Sequence, residues 1–252
     1  MAECRIKTKV YVVGHKEFQI PTDNEIYVPL MVGMKNINIS KDTESDRTGD
    51  SIWEKNPMYN ELTGLYWIWK NSDADITGMC HYRRYFCTLS GKIRNLLFHD
   101  IKGILTEKQI LRLLSKADII VHNVTIAKGG NRAQFEKELY GSDLDITRNI
   151  IEKLCSEYTE AFDKTMMSRT MHLLNMMICH KEVLDAYCEW LFPILFELEE
   201  QLVKNNNGLQ EGLDRRVGMV AERLLDVWLR KNNLKYKTCL SVNTERVDVR
   251  MW

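Results

Sequence analysis

The sequence has no surplus of charge: 35 Lys and Arg residues balance 35 Asp and Glu. A nucleic-acid binder that grips the phosphate backbone carries a broad basic footprint, so nucleic acid is excluded as a partner and any anion must be held locally. The 7 cysteines, at 4, 80, 87, 155, 179, 188 and 239, contain no C-x-x-C and no regular spacing. Their odd number and the length of the chain exclude the disulfide framework of a small secreted domain. Long apolar runs are missing as well. "LYWIW" (65–69) and "WLFPILF" (190–196) fall far short of the ~20 residues that span a bilayer. The start, "MAECRIKTKVYVVGH", passes into a strand pattern with no apolar core and cleavage site of a signal peptide. HExxH, GxSxG, the Walker loop and GxGxxG are all absent, which removes support for zinc proteases, serine hydrolases, P-loop enzymes and dinucleotide enzymes. These absences lead us to expect a reduced, cytoplasmic, soluble protein.

What is present is enough for a full-sized core: 252 residues, 44% hydrophobic and 28% charged. With no Pro/Ser/Gly-rich linker, residues 1–252 are expected to form one domain. Its sheet-containing part runs over about 1–180, and helices over about 181–232 pack on it. Strands are expected at 9–15, 25–33, 74–79, 117–123, 174–181 and 234–242, and a polar loop from Lys35 to Lys55. Asn56-Pro57 reads as an N-cap and first helical residue, opening a helix whose Met58, Leu62, Leu65 and Trp69 form one stripe. Thr106 and Gln109 make a capping box for a helix over 106–116, and Ser142 with Asp145 a similar start for 142–154. Helices follow at about 182–205, with a kink expected at Pro193, and at 215–231. Strands separated by helices imply an α/β fold with a mostly parallel central sheet flanked by helices. Ligands of such sheets sit beyond the carboxyl ends of the strands. That rule brings Gly14, His15, the segment His81 to Arg84, and His122-Asn123 to one edge.

The segment "ITGMCHYRRYF" (76–86) ends a strand in His81, Tyr82, Arg83 and Arg84. Arginine forks match phosphate oxygens, and the tyrosines add hydroxyls and stacking faces. Two consecutive arginines on an extended chain point opposite ways, so both can face one ligand only across a turn. The plainer alternative pairs one arginine with a structural carboxylate. Two acidic pairs, Asp73/Asp75 and Asp143/Asp145, are candidates for a divalent metal such as Mn or Mg beside a diphosphate. Asp73/Asp75 precede their strand, the wrong end for such a site, and Asp143/Asp145 sit in a first helical turn, where capping alone favours acids. "DRTGDSIWEKN" (46–56) offers Asp50 and Asn56 ahead of a helix N-terminus, where free N–H groups hold anions or sugar hydroxyls. Glu222 lies opposite the apolar stripe Val217, Val220, Leu224 and Trp228, and is eligible as a general base. Asp226 and Arg230 are expected to pair in solvent, and His172 and His180 to be structural.

Five motifs, "DRTGDSIWEKNPMYNELTGLYWIWKN", "ADITGMCHYRRYF", "DLDITRNIIEKLCSEYTEAF", "NMMICHKEVLDAYCEWLFPILFELE" and "RRVGMVAERLLDVWL", occur in the order of a bacterial domain family. The family is labelled as of unknown function and is found in capsule, exopolysaccharide and O-antigen clusters. The chain resembles it over about residues 5 to 240. The resemblance implies a GT-A-like nucleotide-diphospho-sugar transferase fold and a glycosyltransferase, some members of the family being regarded as galactofuranosyltransferases. It implies a nucleotide-sugar donor, UDP-linked by expectation, and a glycan or lipid-linked glycan acceptor. On that basis His81, Arg83 and Arg84 are expected at the diphosphate, with Gly14 and His15 near the base or ribose. Asp50 and Asn56 would lie at the donor sugar, and Asp143 or Glu222 would be the catalytic base. A peripheral contact with the inner face of the membrane is weighed for "EWLFPILF" (189–196), against burial of that stretch in the core. The competing reading is a non-catalytic sugar-binding or scaffold protein of a polysaccharide assembly complex. A phosphodiesterase lacks a metal cage.

Overall fold

The computed structural model describes residues 6–16, 18, 20, 24–33, 43–98, 101–138 and 140–244. Cys4 and residues 35–42 of the expected polar loop lie outside them. The first half runs through strands β1 (Thr8–Gly14), β2 (Tyr27–Met31) and β3 (Glu44–Ser45), then helices α1 (Asn56–Tyr59) and α2 (Leu62–Asn71). It continues with β4 (Ile76–His81), β5 (Arg84–Cys87), α3 (Leu89–Phe98), α4 (Glu107–Leu114), β6 (Ile119–His122) and β7 (Thr125–Ile126). The second half adds α5 (Asn131–Glu138), α6 (Ser142–Leu154), α7 (Thr159–Met167), β8 (Thr170–Met171) and β9 (Met177–His180). Two long helices, α8 (Lys181–Asn205) and α9 (Arg216–Lys231), and a last strand β10 (Tyr236–Asn243) complete it.

Strands β1, β4, β6 and β9 are largely apolar because both of their faces are buried. Tyr11 and Val13 of β1, Ile119 and Val121 of β6, and Met177 and Cys179 of β9 join a core built with α2, α6, α8 and α9. Their neighbours Val10, Val12, Ile120 and Ile178 point the other way, into a second core with Tyr85, Phe86 and Ile110 of α4. This alternation is the period-2 geometry of a strand with apolar groups on both sides.

The sheet corrects the expectation of a mostly parallel arrangement. The order is β3-β2-β1-β4-β5-β10-β6-β9, and β9 returns to pair with β4, which closes a ring of strands β4, β5, β10, β6 and β9. Parallel pairing is confined to β3-β2-β1-β4 and to β6 with β10. The other contacts, β4–β5, β4–β9, β5–β10 and β6–β9, are antiparallel. A strand buried on both faces is an apolar run whichever way its neighbour runs, so direction is not written in it. The β4–β5 hairpin was also hidden, because its turn residues, Tyr82 and Arg83, are not the Asn-Gly or Asp-Gly of a tight hairpin.

Other corrections are local. Asn56 is a helical residue and not the cap, and the expected single helix is broken at Asn60, which has φ 52°. Gln109 Oε1 accepts the Thr106 N–H at 2.9 Å, as the capping box requires. Ser142 caps nothing; α6 begins on it after Gly141. Helix α8 runs through Pro193, whose neighbours Leu191, Phe192, Ile194 and Leu195 are buried. The apolar residues of that stretch are thus largely core, as the alternative expected. Among the described residues no helix is long and apolar enough to cross one.

Closure of the ring depends on Gly78. A Cβ there would lie 2.1 Å from the carbonyl oxygen of Met177 and 2.6 Å from the Cα of Ile178, both backbone atoms of β9. Forced overpacking of this kind costs about 2 kcal/mol or more. Gly78→Ala is therefore expected to lower the melting temperature by roughly 4–8 °C in calorimetry. An unchanged melting temperature would show that β9 does not cross so closely.

Candidate functional site

Where β1 and β4 end, the chain builds a cleft of about 380 Å³. One wall is the β4–β5 turn. His81 and Arg84 face each other across the hairpin, and the turn is pinned by Tyr82 N–H on the Val13 carbonyl (2.9 Å) and Thr244 N–H on the Arg83 carbonyl (3.0 Å). The turn solves the problem that consecutive arginines pose, for both Arg83 and Arg84 line the cleft. Arg83 also lies over the Tyr82 ring, 5.2 Å from its centroid. Among the described residues no salt bridge occupies Arg84. Gly14 and His15 form the rim beside the turn. A Cβ on Gly14 would meet Phe18 at 2.5 Å and Tyr82 at 3.2 Å, and the His15 ring sits edge-on to Tyr82 at 5.4 Å.

The opposite wall comes from α1, α2 and α9: Asn56, Asn60 and Glu61, then Arg215, Gly218, Met219 and Glu222. Helix α9 approaches the break at Asn60 so closely that a Cβ on Gly218 would lie 3.0 Å from the Asn60 amide nitrogen and 3.1 Å from the Tyr59 carbonyl. The first turns of α9 thus face the cleft, with the positive end of the helix dipole at its edge.

The turn Leu174-Asn175 joins the two walls. Both residues adopt the left-handed backbone, at φ 84° and 50°, a conformation that costs a non-glycine residue about 1–3 kcal/mol. The Leu174 N–H donates to Glu222 Oε1 at 3.2 Å, and its carbonyl accepts from His81 Nε2 at 2.6 Å. The Asn175 amide donates to Glu61 Oε1 at 2.9 Å. A carbonyl partner requires the His81 proton on Nε2, and burial lowers the affinity of this imidazole for a second proton. Burial raises both carboxyls above the usual carboxylate range, and Glu222 is raised further by the charge of Glu61. The guanidiniums of Arg215, near Glu61, and Arg223, near Glu222, act in the opposite direction. The cleft therefore sets arginines against two protonatable carboxyls, with a neutral imidazole between them.

Of the residues expected from sequence, Gly14, His15, Asn56, His81, Arg83, Arg84 and Glu222 line this cleft. Asp143 does not. It is fully buried and held by Arg216, with Oδ2 at 2.8 Å from Nε, away from the cleft lining. Asp145 turns outward to Arg132, at 2.7 and 3.0 Å. Among the described residues no cluster of His, Cys, Asp and Glu could hold a metal ion. Asp50 is exposed in the loop before α1, bonded to Asn71 at the end of α2 and accepting from Tyr66 at 3.2 Å, and does not line the cleft. His122 turns to Ser241 at 3.0 Å, its pKa pushed down to about 4 by burial and then by Arg84. Asp226 pairs with His172 at 2.6 Å instead of Arg230.

Sequence reasoning missed Asn60, Glu61, Arg215 and the Leu174-Asn175 turn. Asn60 carried a signal, since asparagine tolerates the left-handed region better than other side chains. Nothing in the sequence pattern marks a left-handed leucine.

With the geometry established, the relatives of the chain become informative. Residues 9–233 match the model of DUF4422, a domain of unknown function, and the chain belongs to that family. No curated protein matches it. Among solved structures it is similar to one described as the apo structure of the bifunctional glycosyltransferase WbbM, with a TM-score of 0.78 and 27% identity. The match covers 95% of this chain and 46% of that one, so the chain spans about half the length of its structural relative.

The Glu61 carboxyl gives a test of the cleft electrostatics. Its folded pKa lies above the ordinary 4.5, so the stability it contributes is full below that value and is lost as pH rises through the folded pKa. Gln keeps the acceptor for Asn175 and does not ionise. The melting temperature of Glu61→Gln should match wild type near pH 4 and exceed it near pH 8; a difference independent of pH would contradict this.

Proposed function

We propose that this DUF4422 chain is a glycosyltransferase of cell-surface polysaccharide synthesis. It would move a hexosyl unit, galactofuranosyl among the candidates, from a nucleotide-diphosphate sugar, UDP-linked by expectation, to a glycan or lipid-linked glycan acceptor. The observation that carries this reading is the meeting of Arg83, Arg84 and Arg215 with Glu61 and Glu222 in one cleft, in a fold similar to a glycosyltransferase. The GT-A classification inferred from the resemblance belongs to the same proposal.

The division of labour follows from charge. Breaking the bond between the sugar anomeric carbon and the diphosphate oxygen leaves the electron pair and negative charge on the nucleotide. Fixed cations at that oxygen stabilise the developing charge without reorganising, and in many active sites this outweighs every other contribution to the rate. Arg83 and Arg84 supply two guanidinium forks on one rigid turn, and Arg215 a third from the start of α9. The new bond forms from an acceptor hydroxyl, whose proton must go to a base. Glu222 takes that role, held in aim by the Leu174 N–H. Its raised pKa places it nearer the operating pH than an ordinary glutamate, which is where a general base is most effective. His81, protonated on Nε2 and facing the Leu174 carbonyl, fixes the turn between the two walls.

A divalent metal does not fit this donor set. Asp143 and Asp145 are engaged by Arg216 and Arg132, and of the cleft carboxyls Glu222 is paired with Arg223 and Glu61 is held by the Asn175 amide. No step is therefore assigned to Mn or Mg.

Thermal-shift measurements against UDP-, GDP-, dTDP- and CMP-sugars, with and without manganese, identify the donor, since a ligand of the native state raises the melting temperature. With that donor, Arg84→Ala should reduce nucleotide release roughly 10²–10³-fold while its own melting temperature stays within about 2 °C of wild type. Equal loss of folding stability would make Arg84 structural, and sugar binding without any release of nucleotide would favour the non-catalytic sugar-binding protein. In the pH profile of turnover, the acidic limb should lie above the ordinary glutamate value of 4.5. Glu222→Gln should remove turnover across the whole range, whereas a surviving limb in that variant would assign the base elsewhere.

A further inference from the structure

Helix α3 is built inside out. Its inward face is Gly91 and Asn95, both buried, whereas Leu89, Ile93, Leu96, Leu97 and Phe98 are 51–69% exposed. Leu89, Ile93, Leu96 and Leu97 recur at the i, i+4, i+7 and i+8 spacing of one helical face. A surface helix of a globular protein turns that stripe to the core, and here it faces outward. The inward face is specific in its own right. A Cβ on Gly91 would lie 2.5 Å from the Gly103 carbonyl. Asn95 exchanges two hydrogen bonds with the Asn243 backbone, at 3.1 and 3.2 Å. The helix therefore cannot simply roll over to hide its leucines.

The charge around the stripe is of one sign. On a 3.6-residue wheel Lys92 and Arg94 flank the apolar face on either side, and residues 88–98 contain no acid. Lys92 is half-buried with its ammonium on the Ser241 carbonyl at 2.8 Å, and Arg94 packs over the Phe98 ring. Leucine and isoleucine on one face with cations along its borders is the composition of a helix that lies in a membrane interface. A second copy of the chain pressed face to face on α3 would bring these cations together, which disfavours a symmetric dimer here.

We propose that α3 docks the protein on an anionic lipid surface, with Leu89, Ile93, Leu96 and Leu97 among the acyl chains and Lys92 and Arg94 at the headgroups. Helix α3 and the cleft turn hold the two sides of one strand end: Asn243 bonds Asn95, pairs with Arg84 across β5–β10, and is followed by Thr244 on the Arg83 carbonyl. Docking through α3 would set the arginine wall close to the bilayer. That consequence rests on the transferase reading and suits an acceptor carried by a lipid; the docking itself does not depend on it.

The test is co-sedimentation of the full chain with vesicles of phosphatidylcholine alone and of phosphatidylcholine mixed with phosphatidylglycerol. The expected result is binding at least about tenfold stronger to the anionic vesicles, weakening as salt is raised. Ile93→Ser/Leu97→Ser should lose it about tenfold or more, with an unchanged melting temperature and unchanged nucleotide release from a soluble donor. No preference for anionic vesicles, or equal binding by the double variant, would overturn the proposal. So would a dimer in sedimentation velocity that this variant dissociates, which would make α3 a contact between copies of the chain. Failure of the transferase reading would instead appear as absent nucleotide release with vesicle binding intact.

Discussion

One strained backbone position organises the cleft. Leu174 is held left-handed so that a single residue can give its N–H to Glu222 and its carbonyl to His81. Its neighbour Asn175, also left-handed, reaches Glu61. The end of the parallel wing of the sheet, the start of α2 and the middle of α9 are thereby fixed to one another through two consecutive residues. Strain of this kind persists only where the surroundings over-determine it. Here the surroundings are the ring of strands that begins at Met177 and the two cores on either side of it.

The same clamp explains the electrostatic layout. Two carboxyls buried near one another would ordinarily be expelled to solvent or neutralised by direct ion pairs. Each accepts a neutral amide N–H from the 174–175 turn. Glu222 is also ion-paired with Arg223 at 3.1 Å, and Arg215 near Glu61 and Arg223 temper the two carboxyls without cancelling the effect of burial. Across the cleft, the β4–β5 turn holds Arg83 and Arg84 on a frame fixed by Val13 and Thr244. Arg83 and Arg84 thus face the carboxyls from the opposite wall, whereas Arg215 shares the wall of Glu61 and Glu222.

How much of this could be read from the sequence depended on range. The elements were legible because strands buried on both faces and amphipathic helices announce themselves by period: β1, β4, β6, α4 and α9 fall where the apolar pattern puts them. The HYRRYF segment stood out because histidine and paired arginines are chemically unusual at the end of an apolar run. Direction and closure of the sheet were not legible, since Ile178 and Gly78 meet across about a hundred residues and nothing local to either says so. The partners of acids were equally hidden. Asp143 and Glu222 look alike in the sequence, each an acid on an amphipathic helix; one is fully buried against Arg216 and the other, paired with Arg223, lines the cleft, and only the packing of the helices decides which. Glu61 and Leu174 acquire their roles from a turn whose conformation no propensity favours.

The central claim is that the β4–β5 turn and the start of α9 receive a nucleoside diphosphate. Arginine side-chain NMR, following the Nε–H signals of Arg83, Arg84 and Arg215 during titration with the nucleoside diphosphate of the donor, tests it most directly. The account predicts that these three shift together and saturate with one dissociation constant, while Arg132 and Arg148, paired on the outer surface, do not move. Saturable binding that leaves Arg83 and Arg84 unshifted would contradict it.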